Sequence, residues 1–173
     1  FQFFNERLSQ TAFDTLSLET RLREAIREEG FELLYQPQVR VDTGRLVGLE
    51  ALIRWPQGEG PPVMPNDFIP IAEQAGLIVP IGRWVLIEAC RQIRSWQLEY
   101  PKVPPLSVSV NVSPVQLQSP EIVTDVIFAL RESGLDPSAL EIEITESVIV
   151  DRTEAFAARL EELAALGVRL AID

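Results

Sequence analysis

The apolar positions of this chain change period several times, and each change predicts an element. Between Ser17 and Glu29, Leu18, Leu22, Ala25 and Ile26 recur at helical spacing, and Gly30 follows as a residue common just past a helix end. Phe1 to Asp14 carries aromatic residues without a clear period, so residues 1–17 read as a lead-in from something upstream. Two strand-like runs, Phe31 to Val41 and Arg45 to Trp55, flank Asp42-Thr43-Gly44, which is turn chemistry for an antiparallel hairpin. A proline-rich loop from Gln57 to Pro65 leads to a helical pattern over Pro65 to Ala75. A longer helix over Ile81 to Trp96 follows, with Ile81, Trp84, Val85, Ala89 and Ile93 on one face.

The second half alternates more regularly. Leu106, Val108, Val110 and Val112 interleave with Ser107, Ser109, Asn111 and Ser113, the clearest strand in the chain. Ser119 as N-cap, Pro120 at the first position and Gly134 beyond the end bracket a helix. Leu140 to Thr145 predicts a strand, Thr153 to Leu166 a helix ending at Gly167, and Val168 to Asp173 a last strand. Strands alternating with helices imply an α/β class with parallel pairing and helices outside, in an open sheet or in part of a barrel. No glycine-rich phosphate fingerprint follows any strand, which counts against the open nucleotide-binding sheet.

Composition narrows the chemistry. The 173 residues are 46% apolar and 24% charged, ordinary for a globular domain. There is no histidine, which excludes Ser-His-Asp triads and His-based zinc sites. A single cysteine, Cys90, excludes an internal disulfide and reads as helix packing, and the expected location of the domain is the reducing cytoplasm, membrane anchoring of a longer parent being left open. A formal charge of −11 speaks against a general nucleic-acid surface. The apolar stretch from Phe68 to Cys90 carries Glu73, Arg83 and Glu88 with Pro70 and Pro80, so it reads as no membrane span.

Polar groups recur where buried parallel strands should be apolar. Glu50 lies on the second strand with Arg54 four residues on and on the same face. Asn111 ends the third strand, Glu143 lies late in the fourth, and Asp173 ends the fifth. In an α/β barrel those strand ends converge on the rim where active sites are built. Carboxylates with an amide carbonyl form a hard oxygen set suited to Mg²⁺ or Mn²⁺, and Arg54 could take a phosphate oxygen. Each position also has a structural reading. Glu50 and Arg54 suit a salt bridge along the strand, Asn111 a turn cap, Glu143 a solvated strand face, and Asp173 a helix N-cap.

The residues also match a family. Tyr35-Gln36-Pro37, Gly48-Leu49-Glu50-Ala51-Leu52-Ile53-Arg54-Trp55, Phe68-Ile69-Pro70 with Ala72-Glu73, and Gly76-Leu77-Ile78 resemble the opening of EAL domains. Gly82-Arg83-Trp84-Val85-Leu86, Ala89-Cys90, Val110-Asn111-Val112-Ser113 with Gln116, Glu143-Ile144-Thr145-Glu146-Ser147 and Leu170-Ala171-Ile172-Asp173 continue the likeness, which covers residues 18–173. The resemblance implies a (β/α)8 TIM-type barrel with an antiparallel first strand, of which about the first five strands are present. It implies hydrolysis of cyclic-di-GMP to linear pGpG with Mg²⁺ or Mn²⁺. Glu50, Asn111, Glu143 and Asp173 would be metal ligands, with Glu50, Glu143 and Asp173 catalytic. Gln36, Leu52 and Arg54 would contact the dinucleotide, and Glu146 would support the loop after the Asp173 strand.

In the family the chain continues past Asp173 with a second Asp, a Phe-Gly-Thr-Gly loop, a catalytic Lys and further Glu and Gln residues. The 173-residue polypeptide alone is therefore expected not to turn over substrate and to carry an open, association-prone sheet edge. The lead-in resembles the junction after a GGDEF domain, so an upstream cyclase or sensory domain is expected, and such domains often form homodimers. The main alternative to an enzyme is a catalytically silent receptor for cyclic-di-GMP, and the intact Glu50-Ala51-Leu52 motif counts against it. A structural or dimerisation element that binds no ligand is a third reading.

Overall fold

The structure, a computed structural model, describes residues 2–58, 60–101, 104–145 and 154–172, with side chains from Thr15 onward. In chain order the elements are α1 (Gln2–Arg27), β1 (Glu32–Val39), β2 (Leu46–Gln57), β3 (Gly60–Val63), α2 (Pro65–Gln74) and α3 (Ile78–Glu99). They continue with β4 (Ser107–Asn111), α4 (Pro114–Gln118), α5 (Ile122–Ser133), β5 (Leu140–Ile144), α6 (Glu154–Ala165) and β6 (Arg169–Ile172). The main sheet runs β1-β2-β4-β5-β6, with β3 paired to β2 at the side. β1 is antiparallel to β2, while β2-β4, β4-β5 and β5-β6 are parallel, as the strand-helix alternation requires.

One face of this sheet is a dry core. Val108, Val110, Leu140 and Ile142 are at most 1% exposed and pack under the helices, where α3 supplies Ile81, Leu86, Ala89 and Ile93 and α5 supplies Val126 and Ala129. Burying each such aliphatic side chain contributes about 1.5–3 kcal/mol, which favours this register over a one-residue slip that would invert both faces. Near the start of β1 and end of β2, Phe31, Trp55 and Phe68 cluster with ring centroids 5.7–6.1 Å apart, and Trp84 lies 5.9 Å from Phe31. Arg21 of α1 lies over the Trp55 ring at 5.5 Å and donates to Gln57, tying α1 to the end of β2.

Cys90, fully buried on α3, is a packing residue as expected, and burial pushes its thiol up to about 12. In the folded protein at pH 8 Cys90 is expected to ignore an aromatic disulfide reagent, then to react within seconds in urea. Stoichiometric labelling before unfolding would contradict the packing.

Four local expectations need correction. α1 extends back to Gln2, well before the Ser17 at which the clear apolar period begins, and its described packing centres on Leu18, Leu22 and Ala25. Its left-handed exit residue is Glu29, with φ 52°, and Gly30 instead donates its N–H to the Ala25 carbonyl at 2.8 Å. The proline-rich stretch contains β3, which tolerates Pro61 and Pro62 because it pairs with β2 alone. Finally, Ser119 is not the N-cap of the helix before Gly134. It closes α4, a helix too short to show a period, and its hydroxyl accepts from the Glu121 N–H at 3.2 Å, after which α5 begins at Ile122. Thr153, Asp173 and Glu146 lie outside the described residues.

Candidate active site

The second face of the sheet is polar, and the register dictates which residues share it. Gln36 pairs with Glu50, Glu50 with Ser109, Ser109 with Glu141, Asn111 with Glu143, and Glu141 with Arg169. Side chains alternate along a strand, so Gln36, Glu50, Leu52, Arg54, Ser109, Asn111, Glu141, Glu143 and Arg169 stand on the side away from the helix core. Three of these are carboxylates, Glu50 on β2 and Glu141 and Glu143 on β5, with β4 between them. Such like charges repel unless donors or a cation intervene.

Donors are present at each of the three. Asn111 Nδ2 donates to Glu50 Oε1 at 2.8 Å. Ser109 Oγ donates to Glu141 Oε1 at 3.3 Å, and Arg169 Nη1 lies 3.3 Å from Glu141 Oε2. Gln38 Nε2 lies 3.5 Å from Glu143 Oε1 and donates to Ser109 Oγ at 3.2 Å. At the ends of β2 and β4 a cleft of ≈ 540 Å³ is lined by Leu52, Arg54 and Asn111 from the polar face, by Ala51 and Ile53 from the other, and by Glu73, Gln116 and Thr145. Ile69, Ile78, Ile81 and Val85 make its apolar wall. That size and mixture suit a small organic ligand with a few polar anchors.

Asn111 owes its position to the capped turn behind it. Ser113 Oγ accepts from the Gln116 N–H at 3.3 Å and the Ser113 N–H donates to Gln116 Oε1 at 3.1 Å, a reciprocal capping box that opens α4 two residues after the strand. Ser113 thus does the capping that Asn111 was also suited to, leaving the Asn111 amide for Glu50. The alternative salt bridge between Glu50 and Arg54 does not form: among the described residues no ion pair joins them, and Arg54 Nη1 donates to the Ile53 carbonyl at 2.8 Å. Glu143 is half-buried beside Gln38. Gln36, Glu50, Leu52, Arg54, Asn111 and Glu143 therefore lie on one face, with Leu52, Arg54 and Asn111 also lining the cleft.

Among the described residues, no three acidic or thiol groups gather closely enough to hold a metal ion. The described part of the expected set is two carboxylates and one amide, and its donor chemistry is all oxygen save the amide nitrogen, which fits a hard divalent cation. Gln38, Ser109, Glu141 and Arg169 went unread as site residues. Their signal is present in the alternation, since Ser109 precedes Asn111 and Glu141 precedes Glu143 by one strand period.

The family model described as "EAL domain" matches residues 19–173. The chain belongs to the EAL domain family. Relatives of this EAL domain include the oxygen sensor protein DosP of Escherichia coli, 38% identical over 173 residues, which are all of this chain and 21% of DosP. They include the bifunctional diguanylate cyclase/cyclic di-GMP phosphodiesterase MucR of Pseudomonas aeruginosa, 39% identical over 99% of this chain and 25% of MucR. The chain thus spans about a fifth to a quarter of the length of these curated relatives. Among solved structures, the PaMucR phosphodiesterase in complex with c-di-GMP superposes with a TM-score of 0.84 at 39% identity, over 91% of this chain and 63% of that one. The parallel-dominated sheet with its antiparallel first strand is accordingly part of an EAL barrel. No helix of the described residues is long and apolar enough to cross a membrane.

Proposed function

We propose that this EAL domain belongs to a phosphodiesterase that opens cyclic-di-GMP to linear pGpG, with Glu50, Asn111, Glu143 and Asp173 holding Mg²⁺ or Mn²⁺. The observation that carries the reading is the Glu50–Asn111 hydrogen bond of 2.8 Å, on the face that also bears Glu143 and whose Leu52, Arg54 and Asn111 line a ligand-sized cleft. The similarity to MucR, named as a cyclic di-GMP phosphodiesterase, supports the substrate. A divalent ion in this set would supply an activated water and stabilise charge developing on the phosphorane.

The chain's own residues do the rest. Asn111 orients the Glu50 carboxylate by donating to one of its oxygens, so the other oxygen keeps a defined direction. Arg54, anchored on the Ile53 carbonyl, brings its remaining N–H donors to the cleft edge for a phosphate oxygen. Leu52 and the wall of Ile69, Ile78 and Val85 exclude water and offer apolar surface to a base. Gln36, across from Glu50 in the register, adds an amide for the dinucleotide. Glu146 would support the loop after Asp173.

The test is calorimetric titration of cyclic-di-GMP into the full-length protein, with chromatography of the products, in Mg²⁺, in Mn²⁺ and after chelation. Metal-dependent pGpG that stops on chelation and returns with added Mn²⁺ is expected. Binding without product would make the domain a receptor, and no binding in any condition would end the cyclic-dinucleotide reading.

A further inference from the structure

Gln38 stands two residues beyond Gln36 on β1, opposite Gly48 of β2. β1 lies at the sheet edge, and β2 and β4 separate it from β5, yet the Gln38 carboxamide reaches Ser109 on β4 at 3.2 Å and Glu143 on β5 at 3.5 Å. It can do so because Gly48 has no side chain. A Cβ there would lie 2.9 Å from Gln38 Oε1 and 2.6 Å from Ser107 Oγ, so glycine leaves a channel over the β2 backbone for the carboxamide. Ser109 continues the chain of contacts to Glu141, and Glu141 to Arg169.

We infer that Gln38 is a positioning residue for Glu143, admitted to it by Gly48. The inference rests on the proposed metal-holding role of Glu143. A carboxylate with one oxygen near an amide donor loses much of its rotational freedom, and a ligand oriented in advance binds a cation more tightly than one that must be ordered on binding. The neighbouring carboxylate Glu141 is occupied by Ser109 and Arg169, which leaves Glu143 as the group Gln38 orients. Gln38 touches neither substrate nor reacting atoms in this role.

Gln38→Met keeps the length and removes the donor. The experiment measures Mn²⁺ binding by electron paramagnetic resonance in the full-length protein, the site's share being the Mn²⁺ lost in Glu143→Gln. Gln38→Met is expected to weaken that share about 10-fold and to lower kcat for cyclic-di-GMP by a similar factor, with KM and the urea midpoint held. Gly48→Ala, which keeps Gln38 but blocks its path, should reproduce the Mn²⁺ loss. A metal-free readout runs beside it: the side-chain amide resonance of Gln38, identified by its disappearance in Gln38→Met, should shift in Glu143→Gln. Normal Mn²⁺ affinity in Gln38→Met overturns the inference while leaving the metal site standing. If wild type binds no Mn²⁺ through Glu143 but the amide still responds, the metal reading falls and the contact stands; no response overturns the inference outright.

Discussion

Gly82→Ala is expected to destabilise the fold by about 2–3 kcal/mol, a shift of roughly 30- to 160-fold in the unfolding equilibrium. Gly82 is buried on α3 against the Gln116 side chain, and a Cβ at this position would lie 1.7 Å from Gln116 Nε2 and 2.5 Å from its Cδ. A surface glutamine would swing aside. Gln116 is only 4% exposed, and its carboxamide accepts the Ser113 N–H in the cap of α4, so moving it breaks a part-buried cap hydrogen bond. The helical preference for alanine over glycine, about 1 kcal/mol, offsets part of this cost. The displaced cap lies just after Asn111, so on the proposed function weaker cyclic-di-GMP turnover should accompany the loss. Urea unfolding of Gly82→Ala, Gln116→Ala and the double variant checks it: removing the obstructing carboxamide should recover part of the stability, giving clear coupling between the sites. A single variant within about 0.5 kcal/mol of wild type would show that Gln116 has another rotamer available.

The sequence showed the α/β class, the hairpin and the successive polar strand ends because each leaves a periodic trace. Strict alternation from Leu106 to Ser113 separates a helix-covered face, Val108 and Val110, from a polar one, Ser109 and Asn111, and burial follows that division. β3 escaped because Gly60-Pro61-Pro62-Val63 carries turn-type residues in place of alternation, and α4 because five residues hold hardly more than one helical period. α4 nevertheless had a local signature in Ser113-Pro114-Val115-Gln116, where a hydroxyl N-cap, a proline at the first position and an amide at the third coincide. The site divided along similar lines. Ligand-type side chains at matching strand positions could be picked out one by one, but the contacts among them depend on strand register and tilt. That is why Gln38, nominally at a sheet edge, was not associated with Glu143, 105 residues away. The glycine that admits it is informative only once its strand neighbours are known.

Glu50→Gln is expected to move activity and stability in opposite directions. The change is isosteric and removes one negative charge from a face that carries Glu50 on β2 and, one strand beyond β4, Glu141 and Glu143 on β5. Without a divalent ion that face is held against repulsion by neutral donors and Arg169, so losing a charge should leave the urea midpoint in chelator unchanged or slightly raised. The Asn111 contact persists only if one of the two amides turns its oxygen toward the other's N–H, an adjustment open to an exposed Asn111. On the proposed metal-holding role of Glu50, turnover of cyclic-di-GMP by the full-length protein has no such accommodation, because a carboxylate ligand would be replaced by a weaker neutral donor. A fall in kcat of about 10³-fold is expected, close to 4 kcal/mol in barrier height. On the same reading, added Mg²⁺ should stabilise wild type more than the variant, since a bound ion would neutralise repulsion that the variant has in part lost. Such a divergence is the mark of a site whose charges are arranged for a ligand rather than for the fold. A variant that instead lost stability and kept its rate would return Glu50 to the role of a structural strand residue.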